Sequence, residues 1–504
     1  MSPVLSAYGG KQWLPHALLA IAAGSAVFFC FAGRSDAVFV LYDPAFYATE
    51  AERIGLASIS GHHPLVHALA LLLTRLFSCA GVDAPGFIAL QLLNATSLAA
   101  IVLACGKAAH WRGASMALVL VGLSMRGLLL SAAGGETVLP ALAASLWLLI
   151  TACRAEPSLR VTGTLAVLTL LLRQDSILVI PAVLYALARA GHSLRTLVRF
   201  TAITGFTTLA IYVLLWKLSG RDPSFTDWMF ALMHDSARTW GGTSTEDPAH
   251  ILLLHVNAWG VAAAGFFTTW SLFAGAAFTM ALVAAMWLAT RLSAGDAPNR
   301  RLAAAAMVVL ILRTGFSLWF EPGNWEWAVM GWGWVLLAFS SCFAGAIRQE
   351  KLAAIAGMLL LFALALALFC QHASTTLELR RHRLSDAATL AIACGENTGQ
   401  GVAYAASSPH AQAALLAHGV DARNLDVAAW SDFASATESE ISHFAKDRPT
   451  VVLLDRAVGR GFGAHQLTGI PHWLAAFDGA APPAGIALQR MEGKVWVLGL
   501  NMPR

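Results

Sequence analysis

From about residue 14 to residue 370 the chain is a succession of apolar runs, and its charges stand almost entirely between them. A bilayer accepts only backbone whose N–H and C=O groups are bonded within the protein, so a chain of this pattern is confined to a bundle of membrane helices. The runs fall at about 14–32, 65–81, 87–106, 115–133, 137–153, 159–172, 177–190, 197–217, 251–268, 271–291, 302–319, 327–346 and 352–370. Several are shorter than the roughly 17 residues that an upright helix needs to cross a bilayer. Short or broken helices of this kind line polar cavities in membrane bundles.

The pattern predicts a mainly α, polytopic transmembrane bundle of about 11–13 segments over residues 1–370. Residues 371–504 return to ordinary soluble composition and are expected to form a second domain. The net charge of +4 is small and dispersed, which argues against a nucleic-acid partner. Seven cysteines, at 30, 79, 105, 153, 342, 370 and 394, show neither metal-ligand spacing nor a disulfide framework.

Positive charge sets the expected orientation. Lys107 with Arg112, Arg154 with Arg160, Arg189 with Arg195 and Arg199, Arg291 with Arg300 and Arg301, and Arg348 with Lys351 place one set of loops in the cytoplasm. The loops at 134–136, 173–176, 218–250 and 320–326, and the C-terminal tail, then lie outside. The beginning breaks the alternation: an internal N-terminus, spans at 65–81 and 87–106, and an internal Lys107 have the wrong parity. One of those two segments is expected to be re-entrant or interfacial.

Acids recur in the outward loops: Asp43 and Glu50 after the first run, Glu136, Asp175, Glu321 and Glu326. Ionisable groups at membrane depth are costly and mark functional sites by default. The first loop is the richest. Asp43 precedes Pro44 as an N-cap precedes a first-turn proline, which would bring Tyr47, Glu50 and Ile54 onto one helix face. Gly61-His62-His63-Pro64-Leu65 then opens the next apolar run.

An Asp-x-x-x-Tyr helix in the first external loop, followed by His-Pro-Leu at the next segment, resembles the GT-C superfamily of membrane glycosyltransferases. That group includes the protein O-mannosyltransferases and the lipid A aminoarabinose transferases. The segment start Gly135-Glu136-x-x-x-Pro140 fits the likeness, as do the break at Arg173-Gln174-Asp175, the long loop 218–250 and the soluble tail. So does Phe320-Glu321-Pro-Gly-Asn324-Trp-Glu326-Trp. The likeness covers most of residues 1–346, and the order and common sidedness of the motifs carry it.

What the resemblance implies is a transferase that moves a sugar from a polyprenyl-phosphate donor to a lipid, glycan or protein acceptor, with inversion. The setting would be the outer side of the bacterial inner membrane, with the tail periplasmic and the product destined for the cell envelope. By motif match Asp43 is the expected general base. Arg173 and Arg313 are the expected phosphate contacts, because guanidinium matches phosphate oxygens bidentately. His62, His63, Glu136 and Asp175 would line the same cavity, and Glu321, Asn324 and Glu326 would meet sugar hydroxyls or the acceptor. No metal ligand is assigned; some family members need a divalent cation and others do not.

Plainer readings stand beside these. Asp43 also reads as a helix cap alone, His62 and His63 as structural or interfacial residues, and Arg173-Gln174-Asp175 as an external turn with its own ion pair. Glu136 suits a helix start without any function, and Arg313 has a snorkelling alternative. Trp325, Trp327, Trp332 and Trp334 cluster near the outer boundary and read as an aromatic belt or as packing, with sugar stacking by one of them a further reading. In loop 218–250, Phe225, Trp228, Met229 and Met233 predict an amphipathic surface helix, and the loop reads either as a lid over substrate or as plain surface.

The tail reads as a small α/β domain with strands at 401–407, 450–455, 486–491 and 494–500, the last two forming a hairpin about Glu492-Gly493. Helices are expected near 385–394, 409–418 and 435–446. The rival from another class is a membrane transporter or lipid flippase with a periplasmic accessory domain. It should carry internal repeats, and none is evident.

Overall fold

A computed structural model describes residues 17–18, 20–25, 28, 47–48, 50–52, 54–108, 126–220, 224–229, 248–264, 297–320, 323–346, 370–371 and 374. It also describes the strands within 451–500. The expected segments 271–291 and 352–369 lie outside these residues, as do most of the first run, residues 109–125, the expected strand at 401–407 and the expected tail helices.

Ten helices carry the described part of the bundle. They are α1 Pro64–Cys79, α2 Pro85–Ala108, α3 Arg126–Gly134, α4 Val138–Ala152, α5 Leu159–Leu172, α6 Ile180–Arg189, α7 Leu194–Ser219, α8 Pro248–Ala264, α9 Ala297–Phe320 and α10 Trp325–Ala346. Three of them, α2, α7 and α9, are long and apolar enough to cross a membrane. At 16 residues α1 rises only about 24 Å, short of a hydrocarbon core of about 30 Å. Of the two segments in conflict over parity, α2 therefore has a spanning length and α1 does not.

The chain divides into two compact units. One takes Met1–Gly33, Ile54–Leu72 and Ala89–Thr376; the other takes Arg34–Arg53, Leu73–Ile88 and Leu377–Arg504.

In the first unit α4 is the central helix. Nearly every residue from Val138 to Ala152 is buried, as befits a helix that is hydrophobic on all sides. It packs against α5, α6, α9 and α10. α7 is different: residues such as Leu194, Val198, Ile203 and Phe206 are exposed, so one face is left for lipid. Its ends are built by local chemistry. The Ser193 hydroxyl accepts from the Thr196 N–H at 3.3 Å, and Gly220, at φ 58°, closes the C-terminus in the left-handed conformation that glycine adopts without penalty.

α10 decides between the belt and packing readings of its tryptophans in favour of packing. Trp325, Trp327, Trp332 and Trp334 are all buried. The helix is enclosed by α3, α4, α8 and α9, so these indoles fill helix–helix space instead of meeting headgroups. Trp332 meets the Trp259 ring of α8 edge to face at 5.0 Å.

The helix of loop 218–250 also departs from expectation. Residues 225–229 are helical, yet Trp228 does not lie on a membrane surface. It is buried against Ile59, Leu171 and Tyr212. Its indole N–H donates to the Ile59 carbonyl at 3.0 Å, which satisfies the one polar atom that would oppose burial. Met233 lies outside the described residues.

In the second unit the short helical stretch at 50–52 brings Glu52 to the start of α2, where its Oε1 accepts from the Gly86 N–H at 2.8 Å. A carboxylate at a helix N-terminus meets unbonded N–H groups and the positive end of the dipole. Burial raises the Glu52 pKa and that N–H offsets part of the rise. Further along, β1 Val451–Asp455, β2 Ile486–Glu492 and β3 Val495–Leu500 form an antiparallel sheet in the order β1-β3-β2. β2 and β3 pair directly, Glu492 opposite Val495, with an irregularity between Leu488 and Arg490.

A buried charge network at a helix break

α5 stops at Arg173 because the backbone turns extended there, at φ −160° and ψ 128°. A 3₁₀ turn, Gln174–Val179, then leads into α6, whose first turn carries a proline. The break thus sets Arg173, Gln174 and Asp175 at the junction of two short helices.

Three ion pairs meet at that junction. Arg173 Nε donates to Asp175 Oδ1 at 3.0 Å, and Arg173 Nη1 to Glu326 Oε2 at 3.3 Å. Arg313 Nη1, from α9, donates to Asp175 Oδ2 at 2.9 Å. Arg173 and Arg313 are 3% and 2% exposed, whereas the Glu326 side chain keeps 16%. Both guanidinium carbons stand near the Trp327 ring, at 5.3 and 5.8 Å from its centroid, in cation–π range. Two cations and two anions make the set electrically balanced.

One part of it is incomplete. Arg313 Nη1 is engaged by Asp175 and, at 3.2 Å, by Met330 Sδ. Arg313 Nε and Nη2 have no hydrogen-bond partner among the described residues, although both are buried. A buried donor left unmade costs about 1–3 kcal/mol, more when charged. Nε and Nη2 together form one edge of the guanidinium, the geometry that receives a carboxylate or phosphate bidentately.

The histidines flank this network. His62 and His63 stack edge to face with centroids 4.0 Å apart, and His63 Nε2 lies 3.1 Å from Thr137 Oγ1. Burial, reinforced by the charge on Arg173, lowers the His62 pKa to about 4. Burial, with His62 and Arg173 adding to it, takes His63 well below its ordinary value. Burial alone would raise Asp175, but Arg173 and Arg313 outweigh it and hold the carboxyl below the usual range. At neutral pH the site therefore holds neutral imidazoles beside an ionised Asp175.

The titration has a direction. A His62 ring that protonates near 6.5 when unfolded and near 4 when folded removes stability as pH falls between those values. At about 1.4 kcal/mol per unit the loss is on the order of 3 kcal/mol. Thermal unfolding in detergent micelles should show Tm falling from pH 6.5 to pH 4.5, and His62→Gln should flatten that slope. An unchanged slope in the variant would remove His62 as the cause. Asp175, with its pKa depressed, contributes stability above pH 3.8 that disappears as pH falls through its folded-state value.

The expected site residues thus divide. Arg173, Asp175, Arg313 and Glu326 are directly paired, and Asn324 Oδ1 accepts the Glu326 N–H at 2.9 Å, which starts α10. Glu136 is buried one residue before Thr137. Asp43 and Glu321 lie outside the described residues. Arg313 is paired, not snorkelling, and the turn at 173–175 does hold an ion pair of its own, extended to α9 and α10. Sequence reading missed Trp327 as the floor of the two guanidiniums, Met330 and the carboxamide of Gln174. It also missed His255, whose Nε2 accepts the Trp259 N–H at 3.0 Å. Only the i, i+4 spacing of His255 and Trp259 was there to mark that pair. No cluster of metal-ligating side chains occurs among the described residues.

No protein-family model matches the chain, and no curated protein matches it. Among solved structures, ArnT from Cupriavidus metallidurans bound to undecaprenyl phosphate superposes with a TM-score of 0.57 at 13% identity. The match covers 97% of this chain and 99% of that one. The apo state of the same ArnT gives 0.56 at 14% identity, over 98% and 100%. Over nearly its whole length, then, this chain has the fold of ArnT.

Proposed function

We propose that the protein is a GT-C type glycosyltransferase of the bacterial inner membrane that takes a sugar from a polyprenyl-phosphate donor and works on the periplasmic side. The observation that carries the reading is the buried helix break whose Asp175 pairs with Arg313 of α9, the Nε and Nη2 of Arg313 having no hydrogen-bond partner among the described residues. It occurs in a chain with the fold of a protein crystallised with undecaprenyl phosphate.

The chemistry follows from the donor. The acceptor hydroxyl oxygen attacks the anomeric carbon in line, and the bond from that carbon to the phosphate oxygen breaks with its electron pair going to the phosphate. The hydroxyl proton passes to a carboxylate, which we assign to Asp43. Arg313 steadies the departing phosphate, and Arg173 and Asp175 hold Arg313 in place. His62, His63 and Glu136 shape the cavity wall, and Glu326, Asn324 and Glu321 face sugar or acceptor. The acceptor is a lipid, glycan or protein hydroxyl. The C-terminal residues 371–504 form a small periplasmic α/β domain that supports binding.

The topology is testable by itself. Thiols introduced into 33–60, 218–250 and 371–504 should all react with an impermeant maleimide added to spheroplasts. Labelling of any one only after the inner membrane is opened would separate these regions and end the shared-site reading. The transfer reaction is tested with undecaprenyl-phosphate sugars and membrane extracts as acceptor, following release of undecaprenyl phosphate. Movement of the donor lipid between leaflets without its consumption would point to a flippase.

A further inference from the structure

Gln174 lies between the two charged residues of the break, and its own contacts lead elsewhere. Its Nε2 donates twice, to the Gly61 carbonyl at 2.8 Å and to the Met229 carbonyl at 2.9 Å. Its backbone N–H donates to the His62 carbonyl at 3.4 Å. One carboxamide thereby ties the His62-His63 approach and the 225–229 helix of loop 218–250 to the 173–175 turn.

Two further contacts close the same joint. A Cβ on Gly61 would fall on the Trp228 carbonyl oxygen and stand 2.7 Å from Met229 Cα, so the two backbones meet where only glycine fits. The Trp228 indole N–H bonds the Ile59 carbonyl at 3.0 Å. Residues 59–62, 173–175 and 225–229 therefore interlock, and residues 173 and 175 are the ones that hold Arg313 and Glu326.

We propose that Gln174 is a positioning residue that couples the seating of the 225–229 helix to the geometry of the Arg173–Asp175–Arg313 network. The coupling deepens, and for its catalytic consequence rests on, the reading of that network as the donor-phosphate site. The physical basis is that the two carboxamide N–H bonds of Gln174 tie the turn to Gly61 and to the 225–229 helix. With both carboxamide N–H bonds gone, the Gly61 and Met229 carbonyls lose their partner and the turn loses its tie to the loop.

The test is hydrogen exchange on the full chain in lipid nanodiscs, without ligand. Gln174→Ala should speed exchange of amides 225–229 at least tenfold, while the central helix 138–152 exchanges as in wild type. Trp228→Phe keeps the ring packing, loses the bond to Ile59 and leaves Gln174 untouched. It should loosen amides 174–179 as well as its own helix. Unchanged exchange at 225–229 in the first variant, or at 174–179 in the second, overturns the coupling. Faster exchange in 138–152 as well would reduce Gln174 to a general stabiliser and overturn it too.

Undecaprenyl phosphate then serves as the probe of the site. Gln174→Ala should bind it about tenfold more weakly, with turnover of saturated enzyme changed much less. If wild type itself fails to bind the probe while the exchange results hold, the donor-phosphate reading falls and the interlock stands.

Discussion

Asp43→Asn is expected to slow sugar transfer at least a hundredfold while leaving folding, membrane insertion and donor binding intact. The amide keeps the size of the carboxylate and caps a helix about as well. It removes only the capacity to take up a proton near neutral pH. General-base catalysis contributes roughly 10²–10⁴-fold, so the effect should sit in turnover and not in donor affinity. Transfer is measured as release of undecaprenyl phosphate, with donor affinity read separately on the same preparation. A near wild-type rate would make Asp43 a helix cap. The base would then be sought among Glu50, Glu136 and Glu321.

Arg313→Lys is expected to weaken undecaprenyl phosphate binding by about a hundredfold. An ammonium on that stem can still neutralise Asp175, so the ion pair at the break survives in kind. What is lost is the planar edge made by Nε and Nη2. Two hydrogen bonds to an anion, each worth about 1.5–3 kcal/mol, go with it. Arg173→Lys should cost the phosphate less, because Arg173 Nε and Nη1 are already committed to Asp175 and Glu326. Its cost should appear in thermal stability, since breaking a buried pair from one side is worth roughly 3–5 kcal/mol. Equal phosphate affinity in wild type and Arg313→Lys would leave Arg313 as an ion-pair partner only.

The parts legible in sequence were those with a local signal. Apolar run lengths placed α5 and α4 within a residue or so, because a helix in lipid must satisfy its backbone within itself. The break at 173–175 was legible because two charges cannot sit inside an apolar run without a partner. The 486–500 hairpin was legible from its turn residues and alternating strands. Which partner each charge takes was not, because Asp175 and Arg313 are 138 residues apart and no local pattern fixes their meeting. The α10 tryptophans stayed open between belt and packing for a related reason. An indole near the end of an apolar run suits both a headgroup layer and a packed helix interface, and only the neighbouring helices decide. Trp228 was read as a surface residue because its receptor, the Ile59 carbonyl, lies 169 positions away.

The pairing across α5–α6 and α9–α10 bears on how such a chain is built. The break between α5 and α6 carries Arg173 and Asp175, which pair with each other, while their other partners, Glu326 on α10 and Arg313 on α9, come from the later hairpin. The earlier hairpin has its own short-range pair to shelter it, whereas Arg313 finds Asp175 only when the later hairpin arrives. Docking of the two hairpins is thus tied to charge: a second hairpin set in the wrong place leaves the Arg313 guanidinium without Asp175 in an apolar surrounding.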